Sequence, residues 1–210
     1  VLVVAAVLTA ALALADWWAV GTRRPGVERW AKPAVMVDLL AVALAAGALD
    51  HPAGPALVAA LVLGGVGDVF LLGDSEPRFV AGLAAFLVGH LAYVVAFVRD
   101  GLDHPALAAV GAATVLVALA AGRRILPAAA RDGGAPLGSA VAVYMLVIAA
   151  MAVTGWATGH PLVAAGVTLF VVSDTLLALD RFVAPRPRAR LAVIVTYHAA
   201  QALIVAGLLA

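Results

Sequence analysis

Asp68 and Asp174 are the residues whose surroundings make them candidates for chemistry. Asp68 lies in Gly64-Gly65-Val66-Gly67-Asp68-Val69-Phe70-Leu71-Leu72, and Asp174 in Phe170-Val171-Val172-Ser173-Asp174-Thr175-Leu176-Leu177. Both follow a small residue near the end of a long apolar run. An ionisable group inside a membrane span costs roughly 2.5–3.5 kcal/mol even on the lenient insertion scale, so function is its default explanation. Two carboxyl groups close together in a low-dielectric pocket share a proton, leaving one acid beside one carboxylate. Such a pair titrates as a unit, and the sequence does not assign which member is the acid.

Other polar residues gather at related depths. Asp68 and Asp174 each stand about five residues, roughly 7 Å at the helical rise of 1.5 Å, from one end of their runs. Asp38, Tyr144, Tyr197 and His198 fall at similar depth, with His90, Tyr93 and Gln201 deeper. Phe86, His90, Tyr93 and Phe97 recur on one helical stripe. Tyr197 and His198 both neighbour Gln201 at helical spacing. Gly64 and Gly67 let helices approach closely around Asp68. These residues predict one polar pocket walled by apolar helices. Asp38 serves equally well as a structural partner of Lys32 or of a nearby tyrosine. His90 and His198 read as orienting hydrogen-bond partners, because no HxxxH or HExxH spacing points to a metal. Asp16, beside Trp17 and Trp18, reads as interfacial.

The frame that must position these groups follows from composition. Of 210 residues, 65% are hydrophobic and 12% charged, against about 45–50% and 25% in soluble domains. The fold class is therefore all-α, a single integral membrane domain with eight transmembrane helices. The apolar runs span 2–20, 33–49, 56–72, 79–98, 106–121, 137–157, 162–179 and 191–209. Most match the ~17–25 residues that cross a bilayer. Glycine and proline punctuate the connections, and Pro33 is read as opening the second helix. Ala13-Leu14-Ala15 resembles a signal-peptidase site, but no basic segment precedes it and the run is read as a span. A chain starting at Val1 rather than Met is read as trimmed. There are no cysteines, so disulfide and thiolate chemistry are excluded. No charge run or phosphate-binding loop points to nucleic acid or nucleotide.

Charge orients the frame. All of the 13 lysines and arginines except Arg99 fall in the odd-numbered loops. The positive-inside rule then places those loops in the cytoplasm and both termini outside, with the pocket facing the cytoplasmic side of the cell membrane. Asp68 precedes His90 at nearly the interval by which Asp174 precedes His198, an echo that suggests two parallel four-helix repeats. Such an arrangement brings the two aspartates face to face.

With these residues placed, the sequence resembles the YhhN-like lysoplasmalogenase family of eight-helix membrane proteins. The resemblance runs from Lys32-Pro33 through Gly67-Asp68 to Phe79-x-x-Gly82-x-x-x-Phe86-x-x-x-His90-x-x-Tyr93. It continues with Tyr144, with Gly166-x-x-x-Phe170-x-x-Ser173-Asp174, and with Tyr197-x-x-x-Gln201. It implies hydrolysis of the vinyl ether bond of a lysophospholipid, giving a fatty aldehyde and a glycerophospho-ethanolamine or -choline. Asp68 and Asp174 would be catalytic. Lys32, Asp38, His90, Tyr93, Tyr144, Ser173, Tyr197, His198 and Gln201 would bind or orient. No metal or cofactor is implied; the partners are the lipid substrate, water and membrane lipids. A vinyl ether is hydrolysed by protonating the carbon remote from oxygen, and water captures the resulting oxocarbenium ion. A carboxylic acid beside a carboxylate suits that sequence of steps.

Two other readings compete. Gly65-Val66-Gly67-Asp68 also matches the GxGD motif of intramembrane aspartyl proteases, although here the second aspartate follows rather than precedes it. A proton-coupled transporter would also place acids in its spans, but it needs polar groups in the outer halves, which are nearly bare.

Overall fold

A computed structural model describes residues 2–73 and 75–210; the start at Val1 lies outside them. The chain forms α1 (Leu2–Gly21), α2 (Pro25–Ala45), α3 (Gly54–Leu71), α4 (Glu76–Asp100), α5 (Ala108–Ala121), α6 (Ile125–Ala157), α7 (Pro161–Ala178) and α8 (Ala189–Leu208). Short 3-10 turns at Ala48–Asp50 and Pro105–Leu107 and a π turn at Leu179–Val183 complete it. No strand occurs among the described residues. Six helices, all but α2 and α5, are long and apolar enough to cross a membrane. The chain is an all-helical, multi-pass membrane protein. α2 is the most polar of the eight, carrying Glu28, Arg29, Lys32 and Asp38, and α5 has only 14 residues.

Prolines begin the helices. Pro25, Pro55, Pro77 and Pro161 each occupy the first turn of α2, α3, α4 and α7, where a missing N–H leaves nothing unpaired. This corrects the expected start of the second helix. Pro25 opens α2, and Pro33 lies inside it. The turn gained puts Glu28 and Lys32 on one helical face, at i and i+4. Pro33 breaks one internal hydrogen bond, a defect that membrane helices tolerate when neighbours cover it.

The stretch before residue 137, expected as a loop, is also largely helical. α6 begins at Ile125 and breaks at Gly133 and Gly134, where Gly134 adopts φ 68° and ψ −169°. Only glycine reaches that conformation readily. The break folds residues 125–132 back, so that Ile125 and Ala129 pack with Leu137 and Val141 against Leu83, Leu179 and Phe182.

Helices pack chiefly as hairpin pairs, α1 on α2, α3 on α4, α5 on α6 and α7 on α8. The two halves differ beyond that, since α1 packs on α8 whereas α5 packs on α7. Leu57, Leu61, Phe97, Met151, Val167 and Ile204 form the buried centre. Val117 and Leu146, 71% and 70% exposed, belong to the apolar outer surface that a bilayer covers.

Candidate active site

The site is assembled by six helices around an aromatic cluster. Phe170 of α7 is its hub, meeting His90, Tyr93 and Tyr197 edge-on with ring centroids 4.8, 6.3 and 5.5 Å away. Phe86 of α4 meets Tyr197 edge-on at 5.7 Å. Gly67 makes room for Phe86: a Cβ there would stand 2.6 Å from the ring. Offset, edge-on packing of this kind fixes ring orientation. It aims the Tyr197 hydroxyl at Asp68, to which it donates a hydrogen bond of 2.9 Å.

Asp68 is buried and also holds Lys32 of α2, with Nζ 3.2 Å from Oδ1. Asp174 has different company. Tyr144 of α6 donates to its Oδ2 at 2.5 Å, and His90 Nε2 stands 3.7 Å from the same oxygen. Ser173 donates to the Val193 carbonyl at 3.0 Å, tying α7 to α8 beside the aspartate. The two carboxyl groups thus differ: one faces an ammonium and a phenol, the other a phenol and an imidazole.

Both aspartates line one cleft, together with Lys32, Ser173 and Tyr197. Glu28, Glu76, Asp180, Arg181 and Arg190 also line it. The Arg190 guanidinium donates to both Glu28 oxygens, at 2.8 and 3.2 Å. Arg181 pairs with Asp132 at 3.1 Å and lies over the rings of Phe79 and Phe182. The cleft encloses about 1210 Å³ of empty space, part of it open to solvent. Beside it lies an apolar slot, lined by residues such as Leu83, Val115, Ile125, Val141 and Ile148. Asp174, Leu71, Phe79, Phe86 and Leu177 line both spaces, so Asp174 stands at the junction of a polar cleft and an apolar slot.

The remaining expected site residues lie elsewhere. Tyr93 donates to Gln201 Oε1 in the buried layer behind the cleft. Asp38 accepts from Thr9 and joins α2 to α1 instead of meeting Lys32 or a tyrosine. His198 accepts from Trp17 Nε1 at 3.2 Å, and both line a separate apolar groove between α1, α2 and α8. Among the described residues no cluster of His, Asp or Glu is arranged to hold a metal.

The Glu28–Arg190 pair joins helices at opposite ends of the chain and leaves no local signal. Asp16 is fully buried, which corrects its interfacial reading.

The sequence profile of the YhhN family, matching residues 27–208, covers the segment that supplies all of these cleft groups. The chain belongs to the YhhN family. Among its relatives, the human lysoplasmalogenase TMEM86B is 35% identical, with 87% of each chain covered. The bovine lysoplasmalogenase TMEM86A is 31% identical over 74% of this chain and 66% of its own length. A lysoplasmalogenase of Mycobacterium bovis is 32% identical over 80% of this chain and 67% of its own. No solved structure matches this YhhN protein.

Proposed function

We propose that this YhhN protein hydrolyses the vinyl ether bond of a lysophospholipid at the Asp68–Asp174 cleft. The position of Asp174 carries the reading. A lysoplasmalogen has a polar headgroup and glycerol on one side of its vinyl ether and a long apolar chain on the other. A polar cleft adjoining an apolar slot matches that division, and Asp174 lies where the vinyl ether would fall. The relatives named lysoplasmalogenase support the same chemistry.

The two carboxyl groups take different roles. Asp68 is paired with the Lys32 ammonium and acts as the carboxylate. Asp174 faces the phenol of Tyr144 and the imidazole of His90 and acts as the acid. Its proton goes to the vinyl carbon remote from the ether oxygen, and the double-bond electrons form the new C–H bond. The resulting oxocarbenium ion is stabilised by carboxylate charge in a water-poor site. Water adds to the carbon bearing the ether oxygen, and its released proton restores the acid. The hemiacetal then collapses to a fatty aldehyde and a free glycerol hydroxyl. Tyr144 and His90 orient the acid, and Tyr197 orients Asp68. The loop charge supports a cleft at the cytoplasmic face of the cell membrane.

Isotopes test this route. Purified protein turning over lysoplasmalogen in D2O should release aldehyde with one deuterium on the carbon next to the carbonyl. In H2 18O the glycerophospho product should stay unlabelled. Label in the glycerol hydroxyl, or aldehyde without deuterium, would contradict it.

A further inference from the structure

The turn between α5 and α6 and the segment after α7 meet around a small pocket that shares no lining residue with the cleft or the slot. Arg123 and Arg124 come from the turn, and Arg186 comes from the loop beyond the π turn. Ala121, Leu179 and Val183 give the pocket an apolar side. The π turn, closed by the Ala184 N–H on the Leu179 carbonyl at 3.1 Å, brings Leu179 and Val183 to it together. Pro185 and Pro187 flank Arg186 and restrict the loop that carries it. Asp180, the acid next to Leu179, accepts from the Arg186 backbone N–H at 2.6 Å. Among the described residues, none of the three guanidiniums pairs with a carboxylate.

Membrane orientation asks only for basic residues near the ends of spans. It does not ask for three guanidiniums on one concavity, where like charges repel unless an anion lies between them. Other loop arginines are engaged. Arg78 donates to the Val69 and Phe70 carbonyls, Arg181 pairs with Asp132, and Arg190 pairs with Glu28. A guanidinium is a planar fork of donors that matches phosphate oxygens two at a time. The pocket lies at the end of α5, which exposes Leu116 and Val117, and just past α7, so it stands at the depth of lipid headgroups. We propose that the Arg123–Arg124–Arg186 pocket binds the phosphate of an anionic phospholipid from the surrounding membrane. The apolar side formed by Ala121, Leu179 and Val183 suits the first carbons of the lipid chains, which a free phosphate lacks. The bound headgroup offsets the repulsion among the arginines and bridges the α5–α6 turn to the loop after α7. This binding is independent of the chemistry at Asp68 and Asp174.

Native mass spectrometry of the full chain in detergent tests this by counting bound lipid. The wild type should hold one phosphatidylglycerol about tenfold more tightly than phosphatidylcholine. Arg123→Gln, Arg124→Gln and Arg186→Gln together should weaken phosphatidylglycerol at least about tenfold, since each basic group beside an anionic lipid counts for several-fold. The pair Arg123→Gln and Arg186→Gln leaves the residue that caps α6 in place and should show most of that loss, so the result does not hang on how the turn tolerates the third change. As a control, Arg23→Gln, Arg24→Gln and Arg29→Gln together remove the same charge outside this pocket and should change the affinity less than about twofold, because exposed charges at a distance are screened. Inorganic phosphate in large excess should leave the lipid bound. Wild-type affinity in both folded pocket variants, a loss of equal size in the control, or equal binding of phosphatidylcholine would overturn the proposal. Displacement of the lipid by inorganic phosphate would also overturn it, in favour of a soluble phosphate compound as the ligand.

Discussion

At the residue scale, the two aspartates separate by what surrounds them. Asp68→Asn removes the partner of Lys32 and the carboxylate charge. Asp174→Asn leaves Tyr144 a hydrogen-bond acceptor but supplies no proton. Each variant should fold and should lose ~10²–10⁴-fold in kcat. The double variant should be about as inactive as either single one, because groups acting as a unit do not add. Tyr144→Phe should lose less, about tenfold in kcat, measured as aldehyde release at saturating lipid. Asp68 and Asp174 were legible in the sequence because acids inside apolar runs need a reason. Asp16 was not, since beside Trp17 and Trp18 it looked like the end of a span. Asp38 and His198 share the depth of the aspartates, yet Thr9 and Trp17 take them up on other helix faces. Depth alone does not tell which way a side chain points.

At the element scale, apolar runs located the helices and misplaced some ends. A proline pair eight residues apart left two starting points for α2, and the earlier one won because Pro25 follows the tight α1–α2 turn, where Arg23 is left-handed with φ 57°. The segment before residue 137 looked like a loop for its glycines and arginines. Its apolar residues Ile125 and Ala129, one helical turn apart, found a surface on Leu179 and Phe182 that no local pattern announces. Two glycines test these elements. Gly134→Ala forces a side chain into a region essentially reserved for glycine, and should cost about 1–3 kcal/mol. Thermal unfolding in detergent should show the loss. Gly67→Ala should push Phe86 off its seat and cost about 1–3 kcal/mol by overpacking. It should also cut turnover, because Tyr197 rests on that ring and holds Asp68.

At the scale of the whole molecule, composition alone gave the membrane class, because 65% hydrophobic residues leave no soluble alternative. Orientation rests on the loop charge. A reporter fused after Ala210 should read extracytoplasmic, and one inserted near Arg123 should read cytoplasmic. The reverse pattern would move the cleft to the other face. A polar pocket under apolar walls was expected, but the sequence could not convey which helices form the junction of polar cleft and apolar slot, since it arises from α3, α4, α5, α6 and α7 meeting in space. The junction is also what makes the proposed substrate specific. The central measurement is release of fatty aldehyde from lysoplasmalogen by the purified protein, run beside Asp68→Asn, Asp174→Asn and the matching alkyl-ether lysolipid. The wild type should release aldehyde, either variant should lose at least about 10²-fold, and the saturated ether should stay uncleaved. Full turnover by a well-folded Asp174→Asn protein, or equal cleavage of the saturated ether, would contradict this reading of the cleft.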